Sequence, residues 1–353
     1  MKNNTNRISI FDIAKLISIF FVVWGHVVSN IYSETLYFVY LSHMPTFFFI
    51  SGMFLYKETK QYSSLFLFKK KVRRLLVPYL VWSAISFLFH VLIYLVSGGH
   101  EVSEVVDNML DIFVHARSVW FLIQLFLIEV STILLVHISN KYHNSSRYHI
   151  NAYIMYVLLY LFILFFVPGD FLMMEKFRWF YPLFILGYYL SSRIDFEKSK
   201  DLFFKWGALS VVAFIVTCII FDQYKFPLSI MVYPFRLNNI YLAIFIFLGS
   251  CLGMMMIFWI ATVIDKLLSR WDKIYSIVLK ASRYTMDIYV IHMILIYIII
   301  KINIFSAYGK LCNIAISALI SLFVTGSIII FASIMRRFRL YRACVGIDIK
   351  KKD

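Results

Sequence analysis

Residues 10–29 read Ile-Phe-Asp-Ile-Ala-Lys-Leu-Ile-Ser-Ile-Phe-Phe-Val-Val-Trp-Gly-His-Val-Val-Ser, a stretch long enough to cross a lipid bilayer as one helix. The stretch contains Asp12, Lys15 and His26 and lacks the small-residue cleavage pattern of a signal peptide, so we interpret it as a membrane span. The whole chain shares this character, because 61% of its 353 residues are hydrophobic and only 15% are charged. A soluble domain is nearer about 45–50% apolar and about 25% charged, which argues against a water-soluble fold.

Nine further apolar segments are candidate membrane spans, since a helix of about 20 apolar residues crosses the hydrocarbon core. The sequence therefore predicts an all-α, polytopic integral membrane protein with about ten transmembrane helices. The sixth, seventh and ninth candidates are short enough to merge with their flanks. In chain order the candidates are 10–30, 37–56, 75–96, 119–138, 150–167, 178–190, 206–221, 240–264, 286–300 and 311–335.

Lysine and arginine are divided unevenly between the two sides of this arrangement. With a cytoplasmic N terminus, the inner segments hold 27 of the 35 Lys and Arg residues and the outer connections hold 7. Cytoplasmic loops carry such an excess, so the pattern predicts that both termini are cytoplasmic (N-in, C-in). It also accounts for the net charge of +16 without a nucleic-acid partner, because the bases do not form one patch. The inner segments are 1–9, 57–74, 139–149, 191–205, 265–285 and 336–353.

The first span carries a polar stripe. Lys15 and His26 are 11 residues apart, which at about 100° per residue places them within about 20° of one helix face and about 16 Å apart along the axis. Asp12 falls within about 40° of His26 on that face. An ionisable residue at the centre of a membrane helix costs about 2.5–3.5 kcal/mol and usually faces a polar cavity. The alternative is that Lys15 snorkels to the interface and His26 is an ordinary buried hydrogen-bonding residue.

The second span contains the run His43-Met-Pro-Thr-Phe-Phe-Phe-Ile-Ser-Gly52. Pro45 lacks a backbone donor and disfavours a straight helix before it, and Gly52 permits close backbone approach or a kink. A helix broken in this way often lines a cavity, although a kink without chemistry is the alternative. We expect His43 at about the depth of His26, because the two spans are antiparallel across a short outer turn.

A basic run, Lys-Lys-Lys71-Val-Arg73-Arg74, precedes the third span. Such a run is normally a cytoplasmic anchor or a contact for anionic lipids. Its alternative role is to bind a phosphorylated cytosolic donor, because the planar guanidinium of Arg matches phosphate geometry. Coenzyme A, with its pyrophosphate and 3′-phosphate, would suit this cluster.

The four cysteines do not point to a metal site or a disulfide framework. Cys218, Cys251, Cys312 and Cys344 are far apart in the sequence and form no CxxC pair. We expect them to be small hydrophobic residues within helices.

Four patterns together resemble the acyltransferase 3 family of membrane-bound O-acyltransferases, and within it the branch of fucose 4-O-acetylase-like and surface-polysaccharide acetyltransferases. The first pattern is a basic residue, ten intervening residues and a His. In this chain these are Lys15 and His26, and Gly25 precedes the His. The others are the 43–52 run, Arg73-Arg74-Leu-Leu-Val-Pro78, and the pair Trp120-Phe121-Leu122 and Ile288-Tyr289-Val290-Ile291-His292.

The resemblance implies a membrane domain over residues 1–335 that moves an acyl group, usually acetyl from acetyl-CoA, to a hydroxyl of a cell-surface or lipid-linked glycan at the cytoplasmic membrane. It implies that His26 is catalytic, with Asp12 and Lys15 in the supporting polar stripe, and that acyl-CoA is a co-substrate rather than a bound cofactor. Many members have Arg where this chain has Lys15. Lys keeps the positive charge but cannot form the paired hydrogen bonds of a guanidinium group. We predict acyl-CoA binding by Lys71, Arg73, Arg74, Ser51 and Gly52, and candidate acceptor-site residues at His43, Trp120, Tyr289 and His292.

Many relatives also carry a fused extracytoplasmic esterase-like domain, whereas residues 336–353 of this chain read as a short basic cytoplasmic tail. We therefore expect direct transfer to the acceptor or to a separate glycan-assembly protein. Attack of a sugar hydroxyl on a thioester requires a base, and neutral His suits that role near pH 7. His26 could instead carry the acyl group covalently.

Two other functions fit parts of the pattern. A transporter or flippase of a lipid-linked sugar or acyl intermediate would also use broken helices and a polar pathway, although no inverted repeat is visible. A non-catalytic membrane partner of a glycan-assembly complex is the third possibility.

The uneven distribution of Lys and Arg gives a direct test of orientation. A reporter that works only in the cytoplasm should be active when it is fused to either terminus, because basic connections are retained on the cytoplasmic side. A periplasm-active reporter at either terminus would contradict the N-in, C-in arrangement.

Overall fold

The computed structural model describes residues 9–29, 36–96, 102–143, 152–194, 200–224, 240–301 and 310–347. In these ranges the chain forms helices and connecting turns without any β-strand, which confirms the predicted all-α class. Eight helical stretches within them are long and apolar enough to cross a membrane, so the chain is a polytopic membrane protein.

The described residues form fifteen α-helices. Their bounds are α1 Ser9–Ser29, α2 Leu36–Tyr40, α3 His43–Gln61, α4 Ser64–Lys71, α5 Val77–Val96, α6 Val102–Phe113, α7 Trp120–His143, α8 Ala152–Phe166, α9 Met174–Leu190, α10 Lys200–Gln223, α11 Ile240–Leu268, α12 Asp272–Ala281, α13 Thr285–Lys301, α14 Lys310–Met335 and α15 Arg339–Cys344. A π-helical turn, Val72–Leu76, joins α4 to α5, and short 3₁₀ turns precede α9 and α13.

The predicted spans coincide with helices throughout the chain. The eight long stretches correspond to the predicted spans other than 150–167 and 178–190. At those two positions lie α8, with 15 residues, and α9, with 17 residues. Both helices are at or below the short limit for a span of about 17 residues. The total of ten spans and their orientation therefore stay predictions.

The chain divides into two compact units. The first comprises Met1–Ile50, Ser192–Leu228 and Ile244–Ile334, and the second comprises Ser51–Ser191, Ser229–Ala243 and Met335–Asp353. Both units are assembled from segments that are distant in sequence.

Helix α1 is central to the first unit and packs along α13. Its Phe11 ring meets Phe258 of α11 edge to face at a centroid distance of 5.8 Å, and Phe49 of α3 contacts the same ring at 5.7 Å. Such edge-to-face arrangements are preferred by aromatic rings. Apolar side chains therefore hold α1 against its neighbours, and the few polar residues of α1 lie among these apolar contacts.

The predicted interruption near Pro45 is present. Helix α2 ends at Tyr40, a turn occupies Leu41 and Ser42, and α3 begins at His43 with Pro45 in its first turn. Proline has no N–H to donate to the carbonyl four residues earlier, which here belongs to Leu41. That carbonyl lies directly against Gly253 of α11, where any Cβ would overlap with it. The break is thus matched by a glycine on the facing helix.

In the second unit, α3 and α9 approach each other at backbone distance. A Cβ on Gly52 would overlap with the carbonyl oxygen of Phe184 and would lie 3.0 Å from the backbone nitrogen of Tyr188. The Ser191 hydroxyl, just after α9, donates to the carbonyl of Met53 at 3.2 Å. Gly52 therefore has the close-approach role that its lack of a side chain permits.

Two segments treated as connections in the sequence contain helices. Helix α6 lies within the outer connection 97–118, and α15 lies within the basic tail. α15 packs on α5, where the Trp82 indole N–H donates to the Cys344 carbonyl at 3.1 Å and Tyr341 is buried. Gly346, with a φ of +70°, lies against the backbone of Arg74. Hydropathy did not reveal α15 because a helix of six residues is too short for that pattern.

The two close approaches predict an effect of adding one methyl group. Gly52→Ala and Gly253→Ala should each lower the thermal unfolding midpoint in detergent, because overpacking costs about 1–3 kcal/mol. The matched control is Gly326→Ala in α14, where a Cβ meets nothing within 4 Å. That control should keep or raise the midpoint, since Ala is favoured over Gly in a helix by about 1 kcal/mol. Equal midpoints for Gly253→Ala and Gly326→Ala would contradict this packing.

Candidate active site

Three histidines of the first unit come together from three helices. His26 lies near the end of α1, His43 begins α3, and His292 lies in the middle of α13. The rings of His26 and His292 are 5.2 Å apart between centroids, and His43 lies in the neighbourhood of both. The sequence predicted His26 as catalytic and the other two as acceptor-site residues, and the structure places them in one cluster.

The three histidines differ in their exposure. His43 and His292 are 3% and 2% exposed, whereas His26 is only partly buried. His26 is therefore the histidine of the cluster with the most open surface for a substrate. On the preceding turn of α1, the Trp24 indole donates to the Ser317 hydroxyl of α14 at 2.9 Å, which fixes this end of α1.

Backbone carbonyls determine the tautomers of the two buried histidines. His43 Nδ1 lies 2.5 Å from the carbonyl oxygen of Val39, and His292 Nδ1 lies 2.6 Å from that of Tyr289. A carbonyl can only accept a hydrogen bond, so each Nδ1 carries the hydrogen and each Nε2 of the neutral ring carries a lone pair. Each histidine also has a tyrosine ring three residues earlier, Tyr40 at 5.7 Å and Tyr289 at 5.9 Å.

The two charged residues of the polar stripe of α1 pair with each other. Lys15 Nζ lies 2.9 Å from a carboxylate oxygen of Asp12, one turn earlier. Asp12 is 4% exposed, and a buried carboxylate is stabilised by such a partner. The structure thus gives Lys15 a partner on its own helix and keeps the charges near the start of α1.

The basic run of the second unit divides into two parts with different surroundings. Lys71 is 6% exposed, and its amino group contacts Glu58 at 2.8 Å and Glu129 at 3.1 Å. Lys70 also contacts Glu58, at 2.7 Å. The predicted phosphate contact of Lys71 therefore competes with two carboxylates that already neutralise its charge. Removing one partner from such a buried group leaves an uncompensated charge and costs about 3–5 kcal/mol.

Arg73 and Arg74 have a different environment from Lys71. Both are exposed, and both lie on the π-helical turn between α4 and α5. Turns of this kind are rare and are frequently found at functional sites. The two guanidinium groups thus belong, like Lys69, to the exposed part of the run.

The remaining predicted residues lie in both units. Tyr289 and His292 share one turn of α13 in the first unit. Trp120 belongs to the second unit, where its ring stacks on Phe180 at 5.9 Å and the Lys176 ammonium lies 5.8 Å from its centroid. Ser51 is partly buried on α3, next to Gly52.

Glu129 is an ionisable residue that sequence reasoning missed. It lies inside the predicted span 119–138 and is 4% exposed, so the rule that singled out Lys15 and His26 applies to it equally. The repeated spacing Tyr40-x-x-His43 and Tyr289-x-x-His292 was also readable from the sequence. Its meaning depends on the carbonyl contacts, which spacing alone does not reveal.

Among the described residues, no group of three or more His, Cys, Asp or Glu side chains is arranged to hold a metal ion. Separately, imidazole nitrogens such as those of the histidine cluster can act in proton transfer or nucleophilic attack.

Comparison with known protein families settles the class of this chain. A model of the acyltransferase 3 family, described as an acyltransferase domain, matches residues 8–336. The chain belongs to the acyltransferase 3 family. No curated protein and no solved structure matches it significantly. With its multi-pass helical fold, this member of the family is a membrane acyltransferase, as the motifs around His26 and 43–52 indicated.

Proposed function

We propose that this acyltransferase 3 protein moves an acyl group, in the first instance acetyl, from cytosolic acyl-CoA to a hydroxyl of a cell-surface or lipid-linked glycan. Its site of action is the cytoplasmic membrane, with the CoA thioester as co-substrate. The observation that supports this proposal is the cluster of His26, His43 and His292 within a membrane-embedded helical unit.

The chemistry of the cluster fits acyl transfer to a hydroxyl. A hydroxyl oxygen attacks a thioester carbonyl well only if a base takes its proton, and an imidazole does so near neutral pH. His26 is the partly exposed member and is the residue that meets the reacting groups. It acts as general base or, by the second route, as the nitrogen that carries the acyl group.

The donor is recognised through its phosphates. Arg73 and Arg74 are exposed on the π-helical turn, and guanidinium groups bind phosphate with paired, charge-assisted hydrogen bonds. The ion-paired Lys71 contributes by anchoring α4 against α7 rather than by direct contact. The acceptor is a saccharide hydroxyl, with His43 and Tyr289 among the groups that shape its site.

The first test replaces His26. His26→Ala should lower acetyl transfer from labelled acetyl-CoA into membrane glycan by at least about a hundredfold, since one acid–base group contributes about 10²–10⁴-fold. His43→Ala should cost less, because its ring is fully buried and shapes the acceptor site. The measurement is label incorporated per unit of folded protein in isolated membranes.

Two outcomes would contradict this assignment. Near-normal transfer by His26→Ala alongside abolished transfer by His43→Ala would mean that another histidine reacts. Absence of any acetyl transfer by the unaltered protein, with export of a lipid-linked sugar dependent on it, would favour the flippase alternative instead.

The second test concerns the donor. The double change Arg73→Ala and Arg74→Ala should raise the KM for acetyl-CoA while protein levels stay constant, because a lost charge-assisted hydrogen bond costs about 1.5–3 kcal/mol. Lys69→Ala removes an exposed charge from α4 and serves as the control. An unchanged KM in the double variant, or an equal rise in the control, would assign the run to membrane anchoring.

A further inference from the structure

One ring nitrogen of His292 is without a hydrogen-bond partner in the part of the chain that the structure describes. Its Nδ1 donates to the backbone carbonyls of Tyr289 and Ile288, at 2.6 and 3.1 Å. Its Nε2 is buried and has no hydrogen-bond partner among the described residues. Buried polar atoms are nearly always satisfied, so an unsatisfied atom in a folded protein requires an explanation.

The orientation of the ring makes this nitrogen a proton acceptor. Because Nδ1 is committed to carbonyl oxygens, the hydrogen of the neutral ring is on Nδ1 and the lone pair is on Nε2. The helix itself imposes this state, since both carbonyls belong to the preceding turn of α13. The ring therefore cannot satisfy Nε2 by exchanging its two nitrogens without losing the backbone contact.

The neighbour of this ring is His26. The two ring centroids are 5.2 Å apart, and the rings are tilted by 43°. His292 is 2% exposed, whereas His26 is partly exposed, so His26 is the more accessible of the two rings. Catalytic hydrogen bonds are often long before substrate binds and shorten in the reacting complex, which suits this spacing.

We propose that His292 is the proton-relay partner of His26, a positioning residue and not a substrate contact. This role replaces the acceptor-site role predicted from the sequence, and it rests on the proposed function with His26 as base. The acceptor oxygen bonds to the acyl carbon while its proton passes to the lone pair of His26. The other ring N–H of His26 then gives its proton to Nε2 of His292.

The C–S bond of the thioester breaks and its electron pair leaves with sulfur as the thiolate. The proton held on His292 returns through His26 to that sulfur, which gives the ester and free thiol and restores both neutral rings. His26 thus accepts and donates protons without keeping the positive charge on the ring that faces the substrate.

The test uses two substitutions that separate the two nitrogens of His292. His292→Asn keeps a donor near the position of Nδ1 and removes Nε2, and His292→Gln keeps a hydrogen-bond acceptor near Nε2 that cannot take a proton. Both variants should lower kcat with acetyl-CoA and endogenous membrane glycan by about 100-fold, the lower range for an acid–base group, with an unchanged KM for acetyl-CoA. Added imidazole should restore part of the kcat of His292→Ala.

The matched control is His90 on α5, whose Nδ1 makes the same bond to the carbonyl four residues earlier, Ser86, at 2.7 Å. His90 is exposed, so His90→Asn should leave kcat unchanged.

A kcat within threefold of the unaltered protein in His292→Asn would overturn the relay, and so would full activity of His292→Gln. If both variants fail to accumulate, the imidazole experiment is the test. A failure of added imidazole to restore activity to membrane-inserted His292→Ala would overturn the proposal. Active His292 variants beside an inactive His26→Ala would refute the relay alone, whereas an inactive unaltered protein would refute the proposed function.

Discussion

The structure depends on one constraint, which is that polar groups buried in a membrane protein must find their partners within the protein. Lipid offers no hydrogen bonds, so an unsatisfied group costs several kcal/mol there. Asp12 is paired with Lys15, and Lys71 lies between Glu58 and Glu129. The buried histidines use backbone carbonyls of their own helices in the same way. His292 Nε2 is one of several buried side-chain atoms of the described residues that have no such partner, and it is the one that belongs to the histidine cluster.

The same constraint governs how the helices approach each other. Between membrane helices, small residues allow the backbone contacts that replace hydrophobic association. Gly52 brings α3 against α9 in the second unit, and Gly253 brings α11 against the turn before Pro45 in the first. The proline that interrupts the second span is thus compensated by a glycine about two hundred residues later in the sequence. The carbonyl of Leu41 at this break is buried and faces the backbone of α11.

Sequence alone predicted those parts of the fold that depend on local properties. Hydropathy located the long spans, and the polar residues of α1 and the 43–52 run indicated the family. The partners of charged groups depend on tertiary packing and were missed. The sequence suggested Lys71 as a phosphate ligand and did not reveal its ion pairs, because Glu58 and Glu129 are 13 and 58 residues away in sequence. Helices α6 and α15 were missed because they are short and adjoin polar connections. The convergence of His26 and His292 required the packing of α1 along α13, which no spacing rule supplies.

The docking of α15 has a consequence for the order in which the protein is made. Trp82 and Cys344 are separated by 262 residues, and everything between them is synthesised before their hydrogen bond can form. While the ribosome adds α6 to α14, the surface of α5 that receives Tyr341 stays uncovered, and so does the backbone of Arg74 that Gly346 later covers. The second unit therefore reaches its final packing only after residues 339–346 have emerged. The turn that carries Arg73 and Arg74 is among the last parts of the protein to be completed.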